Sequence, residues 1–434
     1  MPGAVDLGGA SQRLLPEHIP LRFFGAAIVA HIIAWLGLAL CADQVADFAG
    51  GPGPVVATVH VLTLGVLVLT AMGASLQMLP VALGQPIPPA RGCTAVFWLT
   101  LAGAAGLIGG VATFSRPAIM GGAAAAGSGL MAYAVILRGI VRKARQPRAV
   151  LLHVRAALVA LVLAVALALL LSFDDAAFIL PDHGRIAGAH LLLAAFGFMG
   201  MLALGLSYVL IPMFAMGEAP GGWPADLSFA IAVAAVAAGA CGALVGQRWI
   251  IAAAAVGGLA GCGLHVGLMA RAVARRMRRK LGREFVLIRA SWALLLAALA
   301  LGLGLALELL PSTGTGTALF GFLLVFGWLL TLLTGVLQRI LPFLASMHTA
   351  RSSGRAIAPT KLIHDLPLTL HRYCHLAALA LVASGIALDV PGVIATGAAV
   401  GVGGAIAFAW FAGTVLHRTR AHLLASAVRQ GGRV

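Results

Sequence analysis

The sequence is divided into long apolar segments, each about as long as a helix needs to cross a lipid bilayer. Cutting the chain at charged residues and at Pro/Gly breaks leaves twelve of them, and about 20 helical residues span roughly 30 Å of hydrocarbon. Hydrophobic residues make up 61% of the chain and charged residues 10%, with a mean hydropathy of +1.03. A water-soluble core could not bury that much apolar surface. The sequence therefore predicts an all-α, polytopic membrane protein whose principal partner is the lipid bilayer.

The predicted spans cover most of the chain and are separated by short polar loops. The seventh and eighth spans are separated only by the sequence GQRW, so counting them as two helices depends on that break. The twelve segments lie near residues 22–41, 56–80, 94–113, 118–138, 149–172, 187–214, 226–245, 248–270, 286–310, 316–342, 371–389 and 391–416.

Basic residues are distributed very unequally between the two sets of loops. The formal net charge is +16, yet of the 29 lysines and arginines only Arg116, Arg185 and Arg248 fall on the loops opposite the termini. The positive-inside rule then predicts an even number of helices with both ends cytoplasmic. The basic runs RGIVRKARQPR and RAVARRMRRKLGR act as topology anchors and contacts for anionic lipids. No nucleic-acid partner is needed to explain the charge.

A spacing of two glycines and a proline, G-x7-G-x6-P, occurs three times. The copies are 132 and 130 residues apart and fall on predicted helices 2, 6 and 10, which indicates an internal repeat. We expect three four-helix blocks, 20–145, 146–280 and 281–416, followed by a basic cytoplasmic tail over 417–434. Glycines eight residues apart can form a strip for another helix or a flat ligand, and the proline is expected to end the helix. The copies are Gly65–Gly73–Pro80, Gly197–Gly205–Pro212 and Gly327–Gly335–Pro342.

Four stretches carry a resemblance to known membrane proteins: PLRFFGAA, HVLTLGVLVLTAMGASLQMLPV, HLLLAAFGFMGMLALGLSYVLIPMF and FGWLLTLLTGVLQRILPFLASMH. With twelve helices in three blocks, the chain resembles the catalytic subunit of heme-copper oxidases and nitric oxide reductases. It is similar, more closely, to the short oxidase-like bacterial membrane proteins near the NnrS family. The resemblance implies a pseudo-threefold fold in the bacterial cytoplasmic membrane, heme b as cofactor and copper as a second candidate metal. It also implies respiratory electron transfer or nitric oxide handling, with a redox partner or a diatomic gas as partner.

The resemblance assigns roles to two histidines near the outer ends of their helices. It implies that His60 is an axial heme ligand and that His190 is a second axial ligand or the ligand of a nearby metal. The alternative for both is an interfacial histidine hydrogen-bonded to water or backbone. Predicted helix 7 has no histidine and predicted helix 10 lacks a His-x-His, so a complete oxygen-reducing centre is not expected.

Four further histidines are candidate metal ligands. An ionisable residue in mid-membrane is costly, so His31 is expected to have a role or a buried partner. His183 belongs to the loop sequence PDHGR. The sequence HRYCH places His371 and His375 at i and i+4 on one helix face, a spacing that can hold a metal. A pair of histidines at the start of a helix is the alternative explanation.

Polar residues near the repeat prolines form a second candidate set, namely Gln77, Tyr208 and Gln338. The repeat predicts that they face one another or occupy like niches. They are either an interhelical hydrogen-bond set or a site for a quinone or small solute. A carrier or scaffold that keeps an oxidase-like fold without cofactors is the second functional class.

Overall fold

The computed structural model describes residues 13–177, 179–277, 280–310, 314–354 and 356–431. Within these ranges twelve helices are long and apolar enough to cross a membrane, which confirms the predicted all-α architecture and the number of spans. The seventh and eighth helices are separate, with a break at residues 246–247. We number the spanning helices in chain order: α1 His18–Leu40, α2 Pro54–Ala82, α3 Ala90–Thr113, α4 Arg116–Lys143, α5 Arg148–Asp174, α6 His183–Ala215, α7 Trp223–Val245, α8 Arg248–Ala274, α9 Glu284–Ala306, α10 Gly314–Ser353, α11 Asp365–Ala387 and α12 Pro391–Ser426.

Both ends of the described chain lie on one face, because the number of spans is even. We call it the terminal face. Arg116 and Arg248 are the first residues of α4 and α8, which begin at the opposite face.

Helices α2, α6 and α10 are the central helices of the molecule. In these three helices 67%, 72% and 67% of the most apolar window is buried, whereas no other span exceeds 44%. The remaining helices pack around them, with α3–α4, α7–α8 and α11–α12 as close antiparallel pairs. The three helices that carry the glycine and proline spacing are therefore the most enclosed part of the fold.

Each central helix changes from α-helical to π-helical geometry in its middle. The π segments are Val61–Val68 in α2, Leu193–Gly200 in α6 and Leu323–Leu330 in α10. Each runs from four residues before to three residues after the first glycine of its spacing. π-Helical turns are rare and often occur at functional sites.

The second glycine of each spacing packs against the helix that precedes it. A Cβ placed on this glycine would overlap or crowd the Cβ of a residue on α1, α5 or α9. The first glycine of the same spacing faces the residue seven positions later on that neighbouring helix. The glycines are thus covered by neighbouring helices. The distances from an ideally placed glycine Cβ to the Cβ of its neighbour are 2.7 Å for Gly73 to Phe23, 2.6 Å for Gly205 to His153, 3.1 Å for Gly335 to Leu287, 2.9 Å for Gly65 to Ala30, 2.7 Å for Gly197 to Ala160 and 3.7 Å for Gly327 to Leu294.

The proline of the spacing does not always end its helix. Pro80 and Pro212 lie close to the last residues of α2 and α6, Ala82 and Ala215. Pro342 instead lies inside a helix that continues to Ser353, so the expectation is wrong for α10. A proline can stay inside a membrane helix when neighbouring helices re-satisfy the freed backbone groups.

The C-terminal segment continues the last helix. Helical structure runs from Pro391 to Gly431, so most of the predicted basic tail is an extension of α12. Residues 432–434 of that prediction lie outside the described residues.

Candidate functional site

His60 and His190 make the same kind of hydrogen bond from the same ring nitrogen. Nδ1 of His60 lies 2.8 Å from the carbonyl oxygen of Val56, one turn earlier in α2. Nδ1 of His190 lies 2.9 Å from the carbonyl oxygen of Ala164, on α5. A carbonyl oxygen only accepts hydrogen bonds, so in each neutral ring Nδ1 carries the hydrogen and Nε2 carries the lone pair. Metal-binding histidines are commonly oriented in this way.

The two imidazoles occupy similar places beside the start of the π segments. His60 directly precedes the π segment of α2, and His190 lies three residues before that of α6. Nε2 of neither ring makes a hydrogen bond to a described residue. The arrangement therefore presents two unused imidazole lone pairs on two of the central helices.

The repeat glycines near this pair are not open to a flat ligand. Gly65 packs against Ala30 of α1 and Gly197 against Ala160 of α5. The helix-packing interpretation of these glycines is the one that the geometry supports.

His31, His371 and His375 come together in one buried cluster between α1 and α11. Their exposed fractions are 2%, 0% and 1%. The ring centroid of His371 lies 5.4 Å from that of His375 and 6.2 Å from that of His31. The ring of Phe408 packs against both His31 and His371. The sequence suggested these histidines as two separate sites, and the fold joins them.

Hydrogen bonds fix two of the three imidazoles and leave the third without partners. The indole N–H of Trp35 donates to Nε2 of His31 (3.1 Å), so Nδ1 of His31 carries a hydrogen that has no acceptor among the described residues. Nε2 of His375 lies 2.8 Å from Oγ1 of Thr331, which itself donates to a backbone carbonyl. Neither nitrogen of His371 has a partner within the same ranges. His371 is therefore the imidazole whose nitrogens are both available for a ligand or a proton.

His183 is explained by a structural contact at the end of α5. Its Nδ1 lies 2.7 Å from Oδ2 of Asp174, and the other oxygen of that carboxylate accepts a hydrogen bond from the backbone N–H of Leu180. The side chain of Asp174 is only 6% exposed. The contact between His183 and Asp174 joins the start of α6 to the end of α5, which accounts for His183 without a metal.

The three polar residues near the repeat prolines make different contacts. Oε1 of Gln77 accepts a hydrogen bond from the backbone N–H of Leu15, while Nε2 of Gln77 and of Gln338 has no partner among the described residues. The ring of Tyr208 packs against two histidines instead. No hydrogen bond between described residues joins any two of the three.

A second buried histidine cluster was missed in the sequence. His153 of α5 and His265 of α8 are 0% and 1% exposed, and both contact the ring of Tyr208, with centroid distances of 5.5 and 5.1 Å. Both nitrogens of His265 lack partners among the described residues. The signal was available, since each is an ionisable residue inside an apolar span, as His31 is.

None of these groups is a preformed multidentate metal centre. Within the described ranges, no three or more His, Cys, Asp or Glu side chains are arranged to hold a metal ion. The five cysteines are all free. Cys374 lies between His371 and His375 in the sequence, and Cys262 lies three residues before His265 in α8.

Comparison with models of known families gave no match to this sequence, and comparison with curated proteins gave none either. The sequence and the structure together establish an integral membrane protein, with twelve spans in the part of the chain that the structure describes.

Proposed function

We propose that this chain is an oxidase-like membrane heme protein in which His60 and His190 are the axial ligands of a heme b. The observation that carries the proposal is that the two rings have the same tautomer and the same hydrogen bond. In each ring Nδ1–H donates to a backbone carbonyl oxygen, and Nε2 has no hydrogen-bond partner among the described residues. Fixed tautomers reduce the entropy lost when a histidine becomes a ligand.

The proposed three-block, oxidase-like architecture is supported by features that recur along the chain. The π segments of α2, α6 and α10 occupy the same register relative to the first repeat glycine. The second glycine of each spacing packs against α1, α5 or α9, which are the first helices of the proposed blocks. An unrelated set of twelve helices has no reason to repeat both details three times.

The residues present fit a bis-imidazole site in their donor chemistry. Two neutral imidazoles are established axial ligands of heme iron, and both lone pairs are free of partners among the described residues. The repeat glycines do not contribute, because helices cover them. A bound heme would supply one-electron chemistry, and two protein ligands to the iron favour electron transfer over binding of a gas such as nitric oxide. Copper at His190 is the alternative metal assignment.

A cofactor-free carrier or scaffold is the second candidate. It is favoured by two cavities of about 90 and 220 Å³, lined by residues other than His60 and His190. Cavities between helices of a polytopic protein are expected in transporters.

The test is the absorbance spectrum of protein purified in detergent from cells supplied with a heme precursor. Wild type should show a Soret band with the spectrum of a low-spin iron. His60→Ala and His190→Ala should each lose the band or change it to a high-spin form. The control is His417→Ala, a histidine of α12 near the terminal face that should leave the band unchanged. No band in any of the four proteins would contradict the heme assignment and leave the carrier or scaffold. Equal bands in all four would show a heme held by other ligands and would remove His60 and His190 from the assignment.

A further inference from the structure

A cavity of about 220 Å³ lies between α1, α10 and α12, in the half of the membrane next to the terminal face. Its position follows from its lining, since Glu17 directly precedes α1 and His348 lies near the end of α10. It is distant in sequence and in depth from His60 and His190, which lie near the helix ends at the other face. The proposed heme site does not include it.

Small residues keep this cavity open. Gly25 of α1 and Gly413 of α12 both line it, and a Cβ placed on either glycine would meet no atom within 4 Å. Both glycines also lie at the perimeter of the protein, where a membrane protein meets lipid. The cavity is therefore open sideways toward the bilayer.

The polar end of the cavity has unmet hydrogen-bonding capacity. His348 is 6% exposed, and its Nε2 is enclosed without a hydrogen-bond partner among the described residues. The carboxylate of Glu17 has no hydrogen-bond or ion-pair partner in the same part of the chain. The hydroxyl of Thr419 donates to the carbonyl oxygen of Val415 and keeps its own lone pairs free. A buried polar atom without a partner is costly, so Nε2 of His348 points to a ligand that bonds it. The half-buried carboxylate of Glu17 and the hydroxyl of Thr419 offer further acceptor oxygens at the same end of the cavity.

We propose that the cavity binds a lipid-soluble quinol, with the ring inside and the isoprenoid tail passing between Gly25 and Gly413. A carboxylate and an imidazole lone pair both accept hydrogen bonds, and the two hydroxyl groups of a quinol donate them. The volume is below the roughly 300–1,000 Å³ of pockets that enclose drug-sized ligands, which suits a single ring whose tail stays in lipid. The carboxylate of Glu17 disfavours the phosphate of a phospholipid, although Arg351 lies near His348. The proposal concerns binding and includes no redox step.

The experiment measures binding of a decyl-benzoquinol, kept reduced, to protein in lipid nanodiscs. Wild type should bind it saturably. Gly413→Leu should abolish binding because the added side chain fills open space without touching the backbone of another helix. His348→Leu should weaken binding roughly two- to tenfold, the effect of one lost hydrogen bond.

Gly403→Leu is the matched control, because Gly403 is also an exposed glycine of α12, it does not line the cavity, and a Cβ placed on it would have nothing within 4 Å. It should bind like wild type. The proposal is overturned if wild type shows no saturable binding, or if Gly413→Leu and Gly403→Leu bind equally. It is overturned as well if mass spectrometry shows that Gly413→Leu loses a bound phospholipid while its quinol binding is unchanged. None of these outcomes depends on a Soret band, so the proposal and the heme assignment can fail separately.

Discussion

Substitution of Gly103 by alanine should loosen the pair of helices α3 and α4. These helices are joined by a turn of two residues and lie so close that a Cβ on Gly103 would overlap the backbone nitrogen of Ala126. The carbonyl carbon of Ala125 would lie 2.7 Å away. Backbone atoms cannot rotate aside as a flexible side chain can, so the helices must move apart by about 1 Å to restore ordinary van der Waals contact.

The magnitude follows from two opposing effects. Inserting a methyl group into well-packed surroundings costs about 1–3 kcal/mol, while replacing glycine by alanine in a helix gains about 1 kcal/mol. Gly109 of the same helix has no atom within 4 Å of the position that a Cβ would take, so Gly109→Ala receives the gain without the overlap. The difference between the two variants is therefore about 1–3 kcal/mol, with Gly103→Ala the less stable.

The assay is thermal unfolding in detergent, followed by tryptophan fluorescence at one heating rate for wild type, Gly103→Ala and Gly109→Ala. The expected order of midpoints is Gly109→Ala at or above wild type, and Gly103→Ala below both. Equal midpoints for the two variants would refute the close backbone approach between α3 and α4.

Two further predictions concern the buried cluster of His31, His371 and His375, and a third concerns the topology. His371→Leu should raise the unfolding midpoint, because it removes a buried imidazole whose unmet hydrogen bonds cost about 1–3 kcal/mol; a lower midpoint would reveal a partner for that ring. Trp35→Phe should lower the midpoint by leaving Nε2 of His31 unpaired, and no change would refute the importance of that hydrogen bond. In a cysteine-free background, Arg145→Cys should react with an impermeant maleimide only in inverted membrane vesicles and Gln247→Cys only in right-side-out ones; the reverse pattern would invert the predicted orientation.

The candidate sites could be predicted from the sequence in part. His31 was suggested because ionisable residues are rare in apolar spans, and His371 and His375 were suggested by their i and i+4 spacing. No sequence pattern joins His31 to residues so far along the chain. His153 and His265 were overlooked although the same criterion applies to them. Tyr208 was grouped with two glutamines by its position in the repeat, and in the fold its ring contacts both of these histidines.

The sequence by itself determined the number of spans and marked three helices by a shared spacing, and the structure shows these three to be the most buried spans. Apolar length and the repeated glycine and proline spacing are properties of single segments, so they need no knowledge of neighbouring helices. Only the tertiary structure decided which faces meet, what covers Gly73 and Gly205, and that Pro342 stays inside α10. The physical reason is that lipid tails are as apolar as a protein core. A membrane helix can therefore be hydrophobic on all sides, and periodicity does not tell its buried face from its lipid face.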